Sequence, residues 1–193
     1  MNLHFTQDWF SHNIPVWQEI IPKMAKRDKF LEVGAFEGRA TCWLMQNALS
    51  DTGTIRCVDT WQGSPEHTDI DMDQVYLRFL KNTARTKKPN QELITGKTTS
   101  TAYLGKLLAA EEKFDLIYID GHHSAPYVMT DCSMAYWLLE PGGILIMDDY
   151  LWKIHELPAS QRPKEALDAF LSAFSEMVVL VSVGYQLIVQ KRA

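Results

Sequence analysis

The stretch Leu31-Glu32-Val33-Gly34-Ala35-Phe36-Glu37-Gly38-Arg39-Ala40-Thr41 decides how the rest of the chain is read. It begins in a short apolar run, Phe30 to Val33, crosses two glycines four residues apart, and enters an amphipathic stretch from Arg39 to Leu49. That is a strand passing through a tight turn into a helix, with glycine backbone open to close approach and helix N–H groups aimed at the same place. An anionic or polar group is expected there. Dinucleotide folds use G-x-G-x-x-G, whereas this turn is G-x-x-x-G with Phe36 in place of a further glycine, which counts against a nicotinamide ligand. Glycines also serve tight strand-to-helix turns for purely structural reasons, so the loop alone leaves both readings open.

Working outward, the same alternation recurs. Apolar runs of strand length stand at Ile55 to Val58, Leu93 to Thr95, Phe114 to Ile119, Ile144 to Met147, Val178 to Val181 and Tyr185 to Val189. Amphipathic stretches at Met72 to Arg85, Thr98 to Ala110 and Pro126 to Leu139 separate most of them, with helix-starting Thr, Ser and Pro at their heads. Alternating strands and helices predict an α/β fold: a seven-stranded, mostly parallel, Rossmann-like sheet with helices on both faces. The last two runs are separated only by Ser182-Val183-Gly184, too short for a crossover, which predicts a C-terminal antiparallel hairpin at the sheet edge. At 193 residues one domain is expected, with a core from residue 30 onward and residues 1–29 as a lid or an oligomer segment.

Composition narrows the functional classes. A net charge of -5 with scattered basic residues argues against unaided nucleic-acid binding. Cys42, Cys57 and Cys132 are too few and too widely spaced for a disulfide framework or a zinc knuckle, and read as reduced packing thiols. The N-terminus has neither the basic start nor the apolar stretch of a secretory signal, and no run approaches membrane-spanning length, so a cytoplasmic setting without membrane contact is expected.

In such a sheet, ligands sit where loops leave the carboxyl ends of the strands. The second strand ends in Val58-Asp59-Thr60-Trp61, about 20 residues past the glycine loop, where a carboxylate can accept from a ribose diol. The fourth ends in Ile119-Asp120-Gly121-His122-His123 and the fifth in Met147-Asp148-Asp149-Tyr150. Neighbouring strands stand about 4.8 Å apart, so three carboxylates and two imidazoles meet above the sheet, and a divalent cation is the economical way to hold the acids together. Oxygen-rich ligands suit Mg, Ca or Mn. A metal-dependent hydrolase built on Asp120, His123, Asp148 and Asp149 is one alternative, though it leaves the glycine loop and Asp59 without a task. A non-catalytic cofactor-binding domain is another.

Glu32 to Arg39, Val58 to Trp61, Phe114 to His123 and Leu139-Glu140-Pro141-Gly142-Gly143-Ile144-Leu145-Ile146-Met147-Asp148-Asp149 together resemble class I S-adenosylmethionine (SAM)-dependent methyltransferases over residues 30 to 150. The nearest branch is that of small-molecule O-methyltransferases related to macrocin O-methyltransferase and, more distantly, to catechol O-methyltransferase. The resemblance implies SAM as cofactor. Glu32, Gly34, Ala35 and Gly38 would hold its methionine portion, and Asp59 its ribose. Trp61 would line the adenine or substrate side, with Thr98, Asp120 and His122 completing the cofactor set. It further implies Asp120, Asp148 and Asp149 as ligands of a divalent cation, Mg by preference, and His123 as general base beside Asp120. The expected reaction is O-methylation of a small, diol-bearing acceptor. The aromatics Trp9, Phe10, Trp17, Tyr150 and Trp152 are read either as a lid or as core packing, and the first segment as lid or homodimer seam. The polar loop Gln62 to Asp69 is read as a cover over the cofactor.

Overall fold

A computed structural model describes residues 3–64 and 70–193; five of the eight residues of the polar loop read as a cofactor cover lie outside the described residues. Seven strands, β1 (Lys29–Val33), β2 (Thr54–Asp59), β3 (Glu92–Lys97), β4 (Phe114–Ile119), β5 (Leu139–Met147), β6 (Val178–Val183) and β7 (Leu187–Lys191), form one sheet in the order β3-β2-β1-β4-β5-β7-β6. The first five are parallel and the last two antiparallel, as the spacing predicted. Strand order reverses at β1, so the loops after β1 and β4 part above adjacent strands and leave a crevice between them.

Period-2 side-chain alternation divides the core into two layers. Leu31 and Val33 of β1, Ile117 and Ile119 of β4, and Leu145 and Met147 of β5 face helices α4 (Ser100–Ala109), α5 (Ala125–Leu138) and α6 (Pro163–Ala173). Phe30, Leu116, Tyr118, Ile144 and Ile146 face α1 (Ile14–Ile20), α2 (Arg39–Asn47) and α3 (Met72–Thr86). β4 is buried along its whole length because helices cover both of its faces. Asp71 caps α3 by accepting from Asp73 N and Gln74 N, Thr99 caps α4, and prolines open α5 and α6.

Three elements differ most from the sequence reading, the first being β5, which begins at Leu139 rather than Ile144. α6 was not anticipated, although Pro163 at its start and Ala166, Leu167 and Phe170 on one face carry a helical signature. The hairpin turns two residues later than Ser182-Val183-Gly184, because β6 continues through Val183 and Gly184 N donates to Gln186 O. That shift leaves Gln186 at the head of β7, buried, beside the end of β5.

The N-terminal segment is strapped to the domain. His4 N donates to Asn82 Oδ1 and Asn82 Nδ2 returns a bond to His4 O, while Thr6 donates through both its N–H and its hydroxyl to Glu37. Phe10 and Trp17 are core residues, whereas Trp9 is half exposed and leans on Phe36 at 5.0 Å. The N-terminal aromatics thus divide between packing and the rim of the site. No helix among the described residues is long and apolar enough to cross a membrane, and all three cysteines are buried and unpaired.

Candidate active site

A cavity of about 430 Å³ opens at the carboxyl ends of β1 to β4. Gly34 and Phe36 line it from the first loop, Asp59 and Thr60 from the second, Thr98 to Thr101 from the third, and Asp120 to His123 from the fourth, with Trp9 and Tyr127 beside them. Gly34 is decisive. Its φ is +85°, and a Cβ there would lie 1.8 Å from the carbonyl oxygen of Asp120, so the loop after β1 is laid directly on the end of β4.

Asp59 ties the same loop from the other side. Its Oδ2 accepts from Ala35 N and Phe36 N at 2.9 Å each, and its Oδ1 from Trp61 N at 2.7 Å. A carboxylate offers about four lone-pair sites, which leaves one, on Oδ1, for an incoming hydroxyl. Trp61 is buried behind the wall, where its Nε1 donates to Phe36 O at 2.9 Å and its ring packs on Phe79. Ala35 and Gly38 also lie behind the wall, Gly38 at φ +78° against Phe79. Glu32 points the other way, into the layer between β1, β2 and α2, accepting from Thr41 Oγ1 and Cys57 Sγ. Burial pushes its carboxyl up to about 8, so it is neutral at pH 7 and acts as a buttress under the loop. His122 stacks on Tyr127 at 4.3 Å and accepts from Ser124 N through Nδ1.

Next to the cavity, Asp120, His123 and Asp149 each present one ligand atom, all within 4.8 Å of one another. His123 Nε2 lies 2.8 Å from Asp149 Oδ2, and its ring packs against Trp152 at 4.5 Å. Asp148, expected to share an ion with Asp120 and Asp149, is not part of this cluster: its carboxyl turns into the protein, 8% exposed. There Asp148 Oδ2 accepts from the Tyr118 hydroxyl and from Gln186 Nε2, and Oδ1 accepts from Asp149 N. Burial, together with the charges of Asp148 and Asp149, pushes Asp120 well above the usual carboxylate range, and burial and Asp149 raise Asp148 to about 6. Crowding these carboxyls together without an offsetting cation makes their joint ionisation costly. Two carboxylates and an imidazole in that state suit a hard divalent cation, which would lower all of these values at once.

At helical spacing Asp131 would pass for an ordinary polar residue on the face of α5. It is in fact buried at 2% exposure under Gly121, bonded to Ser100 at the start of α4, and raised to about 6 by that burial. Only the fold could reveal it, because a single Asp at helical spacing carries no signal of which neighbour covers it.

The protein family described as "Methyltransferase domain" matches residues 31–150. No curated protein sequence matches the chain. Among solved structures, the fold is similar to that of an O-methyltransferase from Bacillus cereus in complex with S-adenosylhomocysteine (SAH), with a TM-score of 0.69 and 19% identity over 98% of this chain and 84% of that one. It is also similar to the MycE methyltransferase of the mycinamycin biosynthetic pathway in complex with Mg, SAH and mycinamycin VI, with a TM-score of 0.63 and 16% identity over 96% of this chain and 50% of that one. The N-methyltransferase NodS from Bradyrhizobium japonicum WM9 gives a TM-score of 0.62 and 14% identity over 94% and 95% of the two chains. At these identities the likeness is one of fold, and it spans oxygen and nitrogen acceptors alike.

Proposed function

The chain belongs to the methyltransferase-domain family and is a SAM-dependent methyltransferase, and from that premise we propose that it methylates a hydroxyl of a small, diol-bearing acceptor with the help of a divalent cation. One observation carries the reading: Asp120 and His123 belong both to the cavity wall and to the acidic cluster, so donor and acceptor sites share a border. SAM, bound in the cavity, supplies a methyl group on a cationic sulfur, to be transferred by in-line displacement. The chain's contribution is first positional: Gly34 and Asp59 fix the loop against which the cofactor lies, and holding reactants at near-attack distance can supply about 7–11 kcal/mol.

Asp120 and Asp149 are the carboxylates that would hold the cation, Mg by preference, since that ion keeps several water or substrate ligands and needs only one or two carboxylates. The ion would supply Lewis acidity, lowering the pKa of a bound acceptor hydroxyl. Were Asp149 to hold such an ion, His123 Nε2 would be the nitrogen that meets the hydroxyl and takes its proton, with the Asp149 carboxylate 2.8 Å away to stabilise the imidazolium. Trp152 on one side of His123 and Trp9 at the cavity rim present the apolar surface against which an acceptor packs.

The reading is tested with methyl-labelled SAM and a panel of catechols and vicinal diols, with Mg²⁺ and with EDTA. Label should reach a hydroxyl only with the metal present. His123→Ala should lower turnover by about 10² to 10⁴ while SAH affinity stays within a few-fold of the parent chain. Transfer indifferent to EDTA, or confined to amines, would overturn the proposal.

A further inference from the structure

Asp148 has the identity of a metal ligand and the surroundings of a structural residue. Its Oδ2 is filled by the Tyr118 hydroxyl, by Gln186 Nε2 at 2.9 Å and by the more distant Asn13 Nδ2 at 3.4 Å, and its Oδ1 is taken by Asp149 N at 2.8 Å. Asp149 sits at φ +61°, a left-handed conformation uncommon outside glycine, and the Oδ1 bond ties its N–H in that conformation. The Tyr118 hydroxyl also reaches Asp120 Oδ2 at 2.8 Å, so one buried phenol touches Asp120 directly and Asp149 through Asp148.

Behind this pair stands the N-terminal helix. Trp17, fully buried on α1, donates from Nε1 to Gln186 Oε1 at 2.7 Å, and its ring meets Tyr118 edge-on at 4.9 Å. An indole N–H only donates, so it fixes the Gln186 amide with its oxygen toward Trp17 and its NH₂ toward Asp148. We propose that Asp148 is a positioning residue for the cation site rather than a ligand, and that its own position is set from α1 by Trp17 acting through Gln186. The inference rests on the metal-assisted reading above. Outer partners of this kind orient ligands and change metal affinity by about 10–100-fold when removed. It also gives the N-terminal segment a task that neither a lid nor a dimer seam describes: α1 completes the ion site from behind.

The test is Mn²⁺ binding to the full chain, read from the loss of the free-ion electron paramagnetic resonance signal, with thermal midpoints measured alongside. Asp149→Asn should abolish binding. Gln186→Met and Trp17→Phe, the latter keeping the ring and losing the donor, should weaken it about 10–100-fold. Asp148→Asn, which retains an acceptor for Asp149 N, should also weaken binding without abolishing it. Cys132→Ala, buried in the opposite helical layer, controls for general destabilisation and should bind as the parent does. Should Trp17→Phe fail to fold, Gln186→Met carries the comparison. Parent-like affinity in Gln186→Met, or loss in Asp148→Asn as complete as in Asp149→Asn, overturns the positioning role. A parent chain that binds no Mn²⁺ overturns the metal reading instead, so the two failures are distinct.

Discussion

Replacing Gly34 by alanine attacks the contact on which both halves of the site depend. Two costs add. A residue with a Cβ at φ +85° loses about 1–2 kcal/mol to left-handed backbone sterics. The new Cβ also begins 1.8 Å from the carbonyl oxygen of Asp120, where real Cβ contacts essentially never fall under 3.0 Å, so the loop and the end of β4 must part by at least 1.2 Å (3.0 minus 1.8). Backbone cannot swing aside as a side chain does. The separation strains the bond from Asp120 N to Val33 O, worth about 1 kcal/mol, and carries an overpacking cost of about 1–3 kcal/mol. Gly142 provides the matched control: it has φ +78° with nothing within 4 Å, so Gly142→Ala bears the conformational cost alone. Gly38→Ala falls between, since its Cβ would meet the movable ring of Phe79 at 2.9 Å. The series should therefore order as Gly142, Gly38, Gly34, with Gly34→Ala lowering the thermal midpoint by on the order of 10 °C or more, given about 2–4 °C per kcal/mol at this size. SAH affinity, measured by calorimetry, should fall steeply only in Gly34→Ala. Midpoints for Gly34→Ala and Gly142→Ala within a degree or two of each other would refute the reasoning.

Three further outcomes concern polar groups tied into the fold. Burial raises Asp131 from 3.8 to about 6, so ionisation costs the folded state nothing at low pH, an increasing amount as pH rises through this window, and a constant amount of about 3 kcal/mol above it. Asp131→Asn should then stabilise the chain more at pH 7.5 than at pH 4.5 in urea titrations; an equal gain at both would contradict it. Asp59→Asn replaces an acceptor for three backbone N–H groups by an amide that can accept through one atom only, stranding at least one donor at a cost of about 1–3 kcal/mol. A lower thermal midpoint and at least tenfold weaker SAH binding are expected, and parent-like values for both would rule out its tethering role. Burial pushes the thiol of Cys42 up to about 11 and those of Cys57 and Cys132 well above their ordinary range. None should react with a disulfide reagent at pH 8 until urea unfolds the chain, when all three should; rapid labelling of the native protein would show the core to be more open than described.

What the sequence made legible was whatever the backbone alone constrains. Gly34 announced a tight strand-to-helix turn, though not that the turn is laid on the end of β4; the alternation of apolar runs announced a parallel sheet, and a connection too short for a crossover announced the antiparallel end. Which way a side chain turns at a strand end was not legible. Asp148 and Asp149 are adjacent, yet one enters a buried network and the other faces the cavity cluster, because Gln186 and Tyr118 capture the first. Gln186 arrives there only because the hairpin turns two residues late, a register set by pairing with β5 that no local pattern encodes. Glu32 and Trp61, expected among the cofactor contacts, both lie behind the cavity wall, beneath the loop that forms it. The N-terminal aromatics were ambiguous for the same reason: hydrophobicity says that Trp17 is buried, and only the fold shows what its N–H touches.

The most direct measurement is an anomalous difference map from a crystal grown with SAH and Mn²⁺. A single strong peak between Asp120 and Asp149, beside SAH seated against Gly34 and Asp59 and within reach of His123, is the predicted result. SAH in that cavity with no peak at the two aspartates would contradict metal-assisted transfer at this site, and a peak coordinated by Asp148 would contradict the ligand set.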